Sequence, residues 1–188
     1  MRYPNGINKI NHNISYSKRG MTLESDINES NKYYLNNDIA VIYKKPTPIT
    51  IVKVDYPSRD KAMIKEAYFS VPSTTDYNGL YKGKYIDFEA KETKNKTLFS
   101  LNNIHTHQIK HLDMVDKHGG IAFIIIRFTS LNETYLIMAR DFIDYSINKK
   151  SIPISFFREK GFLIKIGFNP MVDYLNVIDK LLEGDLHE

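Results

Sequence analysis

Residues 73–96 read STTDYNGLYKGKYIDFEAKETKNK, and how their strands lie decides the rest of the fold. Two runs rich in aromatic residues, YNGLY (77–81) and YIDFEAKET (85–93), flank Lys82-Gly83-Lys84, with glycine where a tight hairpin turn needs it. Side chains alternate between the two faces of a strand. Ile86, Phe88 and Ala90 therefore share an apolar face suited to packing on a helix, while Asp87, Glu89 and Lys91 share the other. Successive members of the polar row stand about 6.6 Å apart, at a rise of ~3.3 Å per residue. Folding a hairpin requires no such row. It is either a solvated surface or a place where carboxylates hold a metal ion beside a phosphate.

Working outward, IAFIII (121–126) is the longest apolar run and reads as a strand buried on both faces at the centre of a sheet. Between it and the hairpin the pattern predicts a helix over 102–118, with Asn102 or Asn103 as N-cap and Gly119-Gly120 closing it. Upstream, Leu23, Ile27, Tyr34 and Leu35 predict a helix from Met21 to about Asn37, followed by a buried strand IAVIY (39–43). Residues 44–73 hold Pro46, Pro48, Pro57 and Pro72, which exclude a central strand or a long helix. Ile49, Ile51 and Lys53 alternate there as in an exposed ribbon, so this stretch is expected to leave the core. Downstream come a strand ETYLIMA, a short helix ARDFIDYSINK, a late strand GFLIKIGF and a terminal helix MVDYLNVIDKLLEG. The order predicts an α/β fold: a mixed central sheet flanked by helices, with a projecting insertion.

The chain of 188 residues has 42 % hydrophobic residues, enough for one domain with a real core. It has no cysteine, which excludes disulfides, zinc–thiolate sites and a cysteine nucleophile. The longest apolar run falls far short of the ~20 residues of a membrane helix, and the N-terminus lacks the apolar region of a signal peptide. A cytosolic protein is the plain reading. The formal charge of +4 is unevenly placed: residues 1–72 carry 11 Lys/Arg against 7 Asp/Glu, and the remainder carries 15 of each. Residues 1–19 are polar and Asn-rich, with four basic and no acidic side chains, and read as a flexible basic arm. A basic end suits a polyanion partner, and it equally suits a soluble surface.

Two neighbours bear on the polar row. Asp76, just before the first hairpin strand, reads as a turn residue or as a carboxylate aimed at Glu89. Magnesium takes such oxygen ligands, one or two carboxylates plus water and substrate phosphate. Gln108 falls in the middle of the apolar stripe Ile104, Leu112 and Val115, where an unsatisfied amide costs ~1–3 kcal/mol. It is either bonded to a backbone group or directed at a metal. His105, His107 and His111 form no HExxH pattern and read as solvated or DNA-facing, and no phosphate-cradling glycine loop is present.

The string T-x-D … E-x-K … Q resembles the PD-(D/E)xK nuclease superfamily. More specifically, YPNG, RGMTLE, KKPTPI, IVKVDYP, IKEAYF, STTDYNG, YKGKYIDFEAKETKNKT and QI-x-H, in order, are similar to the RecU family of Holliday junction resolvases, over residues 1 to about 128 and more loosely beyond. The resemblance implies a restriction-endonuclease-like core over residues 20–188, a homodimer, and a stalk at about 44–73. It implies Thr74, Asp76, Glu89 and Gln108 as magnesium ligands, with manganese as a possible substitute, and Lys91 stabilising the transition state. Asp87 shares the face but not the ligand set, and is expected to support the ligands from behind. Arg2, Lys18 and Arg19 on the arm, and Lys44, Lys45, Lys53, Arg59, Lys61 and Lys65 on the stalk, would meet DNA phosphates. Tyr68 and Phe69 at the stalk base are expected either to pack internally or to stack on unpaired bases.

The expected function is resolution of four-way junctions in recombination and repair, by a cytoplasmic, nucleoid-associated protein without membrane contact. An alternative is a junction-binding protein that modulates the strand-exchange recombinase without cleaving. A restriction-type enzyme cutting duplex DNA by sequence is a third reading, against which the stalk-like insertion counts.

Overall fold

The computed structural model describes residues 22–70 and 74–184; the arm at 1–19 lies outside the described residues. Helix α1 (Leu23–Asn36) begins where Thr22 Oγ1 accepts from the Ser25 N–H at 3.2 Å, close to its expected start. The sheet then takes up β1 (Val41–Lys44), β4 (Tyr77–Tyr81), β5 (Lys84–Thr93), β7 (Ile121–Phe128), β8 (Glu133–Met138) and β10 (Phe162–Leu163), side by side in that order. Only β5 and β7 run parallel; the other neighbours are antiparallel, so the sheet is mixed as expected. The hairpin turn places both Lys82 (φ 48°) and Gly83 (φ 75°) in the left-handed region, the mirror-image turn that matches strand twist.

Both faces of the sheet are covered. On one, Ile86 and Phe88 of β5 and Phe123 and Ile125 of β7 pack under Leu23, Ile27 and Tyr34 of α1 and Leu175 and Ile178 of α5 (Tyr174–Glu183). Phe88 lies between the rings of Tyr77, at 4.8 Å, and Phe123, at 4.7 Å, so one stack ties three neighbouring strands. On the other face, Ala122, Ile124 and Ile126 pack under α2 (Thr106–Lys117), α3 (Ala139–Ser146) and α4 (Ile154–Lys160) through Leu112, Phe142 and Phe157. No helix among the described residues is long and apolar enough to cross a membrane.

Three expectations need correcting, and one ribbon has no counterpart among them. The strand near 39–43 is not buried: β1 is an edge strand whose Val41 and Tyr43 face solvent, and only Ala40 and Ile42 enter the core. The helix over 102–118 is shorter. Leu101–Asn103 form a 3-10 turn, and His105 rather than an asparagine is the N-cap of α2. The late strand shrinks to β10 and a lone bridge between Ile166 and Val172. Finally, β6 (Leu98–Ser100) and β9 (Ser151–Pro153) pair as a small separate ribbon that leads into α4; three-residue strands carry too little periodicity to be read in advance.

The insertion does leave the core. Strands β2 (Ile49–Asp55) and β3 (Met63–Phe69) pair with each other alone, in a ribbon bulged between Ile51 and Val54 and exposed along almost its whole length. Tyr68 is 61 % and Phe69 84 % exposed, so neither is packed internally.

At Gly79 the backbone of β1 leaves no room for a side chain on β4: a Cβ there would lie 2.1 Å from the Val41 carbonyl oxygen and 2.6 Å from the Ile42 Cα. Because those atoms are backbone, β1 would have to move off the sheet. Gly79→Ala should cost about 1–3 kcal/mol, read as a lower urea midpoint with an unchanged m-value.

Candidate active site

Strand β5 has β4 on one side and β7 on the other, which removes its backbone from solvent, and α2 lies across its polar face. As a result Asp87 and Glu89 are both 0 % exposed. The row is not a solvated surface. Buried carboxylates are tolerated only when paired and hydrogen-bonded, and these two differ in how that is met.

Asp87 is fully engaged. Its Oδ2 accepts from Lys45 Nζ at 2.8 Å and from the Tyr85 hydroxyl at 2.8 Å, and lies 3.0 Å from His111 Nε2. Its Oδ1 accepts from the Thr75 hydroxyl. Glu89 is less well satisfied. Its Oε2 accepts from the Asp76 N–H at 3.1 Å, while its Oε1 lies against the Lys91 ammonium but receives no well-directed hydrogen bond. Lys91 Nζ also stands 3.8 Å from Asp76 Oδ2. Burial pushes the Glu89 carboxyl up to about 8; the nearby Asp76 adds to the rise and Lys91 opposes it.

Asp76, Glu89 and Lys91 therefore converge, although the turn and the strand that carry them are 13 residues apart. A buried carboxylate oxygen without a directed donor, beside a second carboxylate, is a donor set that fits a hard divalent cation. Among the described residues no three of His, Asp and Glu form a ready-made cluster, and magnesium needs none, since substrate phosphate and water complete its shell. Thr74 is half-buried two residues before Asp76 in the same turn.

Gln108 is 4 % exposed, and its Oε1 accepts from the His105 N–H at 2.9 Å, closing a capping box at the start of α2. Because β5 and β7 are parallel, α2 must run back antiparallel to both. His111 sits over Asp87, so Gln108, three residues earlier and ~4.5 Å along the axis, is displaced toward Glu89. The bond to His105 uses one lone pair of the amide oxygen; a carbonyl has two. The backbone-bonded reading of Gln108 is thus realised in a place that also overlooks the carboxylates.

The remaining sequence candidates are scattered. Lys44 pairs with Glu24 of α1, and Lys65 pairs across the ribbon with Asp55 at 3.4 Å. Lys53 and Lys61 are exposed on the ribbon. Lys45 is turned inward, its side chain only 18 % exposed. Arg2, Lys18, Arg19 and the Arg59 side chain lie outside the described residues. His111 is neither solvated nor DNA-facing but bonded to Asp87, while His105 and His107 stack at 5.3 Å at the start of α2. A further ExK triplet, Glu92-Thr93-Lys94, overlaps the end of β5 and is structural: Glu92 accepts from the Leu23 N–H at 2.9 Å and caps α1. Sequence reasoning missed the set around Asp87. Tyr85 shares its face by alternation and was within reach, whereas Lys45 lies 42 residues away and was not.

The family model described as "Recombination protein U" (RecU) matches residues 18–180. The chain is 55 % identical over 174 residues to a Holliday junction resolvase RecU of Pediococcus pentosaceus, covering 90 % of this chain and 87 % of that one. It is 56 % identical over 172 residues to one of Geobacillus sp. (strain WCH70), covering 89 % and 86 %. The solved 1.6 Å structure of the Holliday junction resolvase Hjc of Archaeoglobus fulgidus aligns at 12 % identity and a TM-score of 0.41, covering 69 % of this chain and 86 % of that one, a likeness too distant to inform the site.

The capping role of Gln108 separates from any other by substitution. Gln108→Glu keeps an acceptor at the third helical position but buries a further carboxylate toward Glu89, so it should lower the melting temperature despite the retained cap. Gln108→Leu should lose about 1 kcal/mol with the cap, measured by urea denaturation.

Proposed function

This chain belongs to the RecU family, and on that premise we propose that it resolves four-way (Holliday) DNA junctions by paired, magnesium-dependent phosphodiester hydrolysis in homologous recombination and repair. The observation that carries the reading is the meeting of Asp76 and Glu89 beneath Lys91 on a central strand. Asp76 and Glu89, with Thr74 and Gln108 beside them, would hold Mg²⁺, or Mn²⁺ in its place. When bound, such an ion supplies Lewis-acid stabilisation of phosphate charge and lowers the pKa of a water.

The chain's own residues do the rest. Glu89, being buried, binds a cation only after losing its proton. Lys91 keeps its ammonium between the two carboxylates, 24 % exposed, where it can neutralise charge that builds on the phosphate oxygens during attack. The α2 helix and the sheet exclude water from behind the carboxylates, which strengthens every charge interaction in front of them. A homodimer would present two such sites and so could nick two strands of the junction symmetrically.

We read β2–β3 as the stalk of a nuclease domain spanning 20–188, and the exposed Lys53, Lys61 and Lys65 as phosphate contacts, together with Arg59 and the arm residues Arg2, Lys18 and Arg19. Lys44 would join them by leaving Glu24. Phosphate contacts give salt-dependent affinity without sequence information, so choice of a junction rests on shape. The setting is the cytoplasm, at the nucleoid, with the strand-exchange recombinase as a further partner.

The test is an end-labelled, immobile synthetic four-way junction incubated with and without Mg²⁺. Paired symmetrical nicks that require the metal, and that Glu89→Ala abolishes while still binding the junction, are expected. Tight binding without nicks in any divalent cation would replace this reading with a non-cleaving, recombinase-modulating role, and equal cutting of mixed-sequence duplex would rule out a resolvase.

Glu89 also sets a pH dependence. Its folded pKa of about 8 lies above its ordinary value, so the proton is held through neutrality and must leave for a cation to bind. Mn²⁺ affinity, followed by loss of the free-ion electron paramagnetic resonance signal, should rise about tenfold per pH unit from 6.5 and level off above pH 8. Affinity that is flat across this range would contradict the protonated carboxyl.

A further inference from the structure

Lys45 is a lysine in a basic run that an inspection of charge assigns to DNA, yet its ammonium is directed into the protein. It is the first residue after β1 and is bound to the turn ahead of β4 in two ways. Its N–H donates to the Asp76 carbonyl oxygen at 2.7 Å, and its Nζ donates to Thr75 Oγ1 at 2.9 Å. The same Nζ reaches Asp87 Oδ2 at 2.8 Å, and the Thr75 hydroxyl donates to Asp87 Oδ1. Lys45, Thr75 and Asp87 thus close a triangle of hydrogen bonds, with Asp76 attached to two of its corners through the backbone.

The far side of Asp87 is held as firmly. Tyr85 and His111 both contact Oδ2, which fixes the carboxylate plane from β5 and from α2. With Thr75 on one oxygen and three groups on the other, Asp87 is committed to protein partners on both oxygens. Glu89, two residues along the same face, has one oxygen without a directed donor.

We propose that Lys45 and Asp87 are positioning residues of the metal site: their buried ion pair clamps the 74–76 turn to β5, so that Asp76 is held against Glu89. The proposal rests on the reading of Asp76 and Glu89 as cation ligands. Lys45 acts through Asp76 and Thr75 and touches neither metal nor DNA.

Three measurements test this on the full-length protein. The first is Mn²⁺ binding to Lys45→Met, followed by the free-ion signal. Loss of a group that orients ligands typically weakens metal affinity about 10- to 100-fold, and that range is expected. The second is junction cleavage against Mg²⁺ concentration. The half-saturating concentration should rise by a similar factor, with the rate at saturating Mg²⁺ largely recovered, and Lys45→Arg should restore most of the difference. The third is junction binding in Ca²⁺ across a salt series. A phosphate-contacting lysine would, when removed, lower the magnitude of the log–log salt slope by about 1; here slope and affinity should stay as in the native protein.

Lys45→Met leaves Asp87 buried without its cation and can cost the fold several kcal/mol. If its melting curve shows that, Lys45→Met/Asp87→Asn, which removes both charges at nearly constant shape, takes its place in all three measurements. Unchanged Mn²⁺ affinity in the folded variant, or a reduced salt slope, overturns the positioning role alone. A native protein that binds no Mn²⁺ overturns the reading of the site and this proposal with it. A native protein that binds Mn²⁺ but makes no nicks overturns only the proposed resolvase activity.

Discussion

Two carboxylates buried on one face of a central strand are the constraint around which this molecule is arranged. Placing Asp87 and Glu89 under α2 takes both from water, and such a charge is costly unless compensating groups reach it. The structure does not distribute that compensation evenly. Asp87 receives donors from β5, from α2, from the turn before β4 and from the residue after β1. Glu89 receives one backbone N–H and a lysine that is itself drawn toward Asp76. Similar side chains 6.6 Å apart by strand geometry thus become a structural anchor and a carboxylate that holds its proton into the neutral range. Uneven compensation of this kind is what separates functional from structural titratable groups elsewhere.

The layers of the fold follow from keeping that strand central. A strand flanked by neighbours and covered on both faces cannot alternate simply between oil and water. Its second face must be polar and still dry, which only helix cover and internal hydrogen bonds allow. The stacked rings of Tyr77, Phe88 and Phe123 hold β4, β5 and β7 together on the opposite face. The register is thereby fixed from the apolar side, and a slip of one residue would exchange Phe88 for Glu89 in the core. The rigid packing that stabilises the protein and the alignment of the polar row are one feature seen from two sides. The β2–β3 ribbon, by contrast, contributes nothing to this core. Its apolar side chains remain in solvent, and Pro46 and Pro48 stand between β1 and β2, where the chain leaves the sheet.

Strand alternation made the polar row legible in the sequence, and helical spacing placed Gln108 on the covered face of α2. Those are local signals, set by periods of two and 3.6 residues. What stayed illegible was set by distant contacts. Edge or centre is a property of neighbours, so β1 looked buried from its composition while its position in the sheet leaves Val41 and Tyr43 in water. The start of α2 was misplaced because Asn102 and Asn103 are good caps in general, whereas His105 and Gln108 cap each other here. The pairing of β6 with β9 joins segments some 50 residues apart, with three residues on each side, below the length at which a pattern can register.

The same limit explains why residue type alone misassigns this chain's charges. Lys44 and Lys45 are adjacent, but alternation sends one toward Glu24 at the start of α1 and the other inward to Asp87. Glu89 and Glu92 each begin an ExK triplet, yet an odd separation puts them on opposite faces: one ends beside Asp76, the other caps Leu23. In both pairs the chemistry is equal and the face is not. A carboxylate or an ammonium acquires a role from what lies across from it, and along a strand that changes with every residue. The triplet that resembles a nuclease motif and the triplet that only stabilises a helix are therefore separated by geometry before any difference in composition enters.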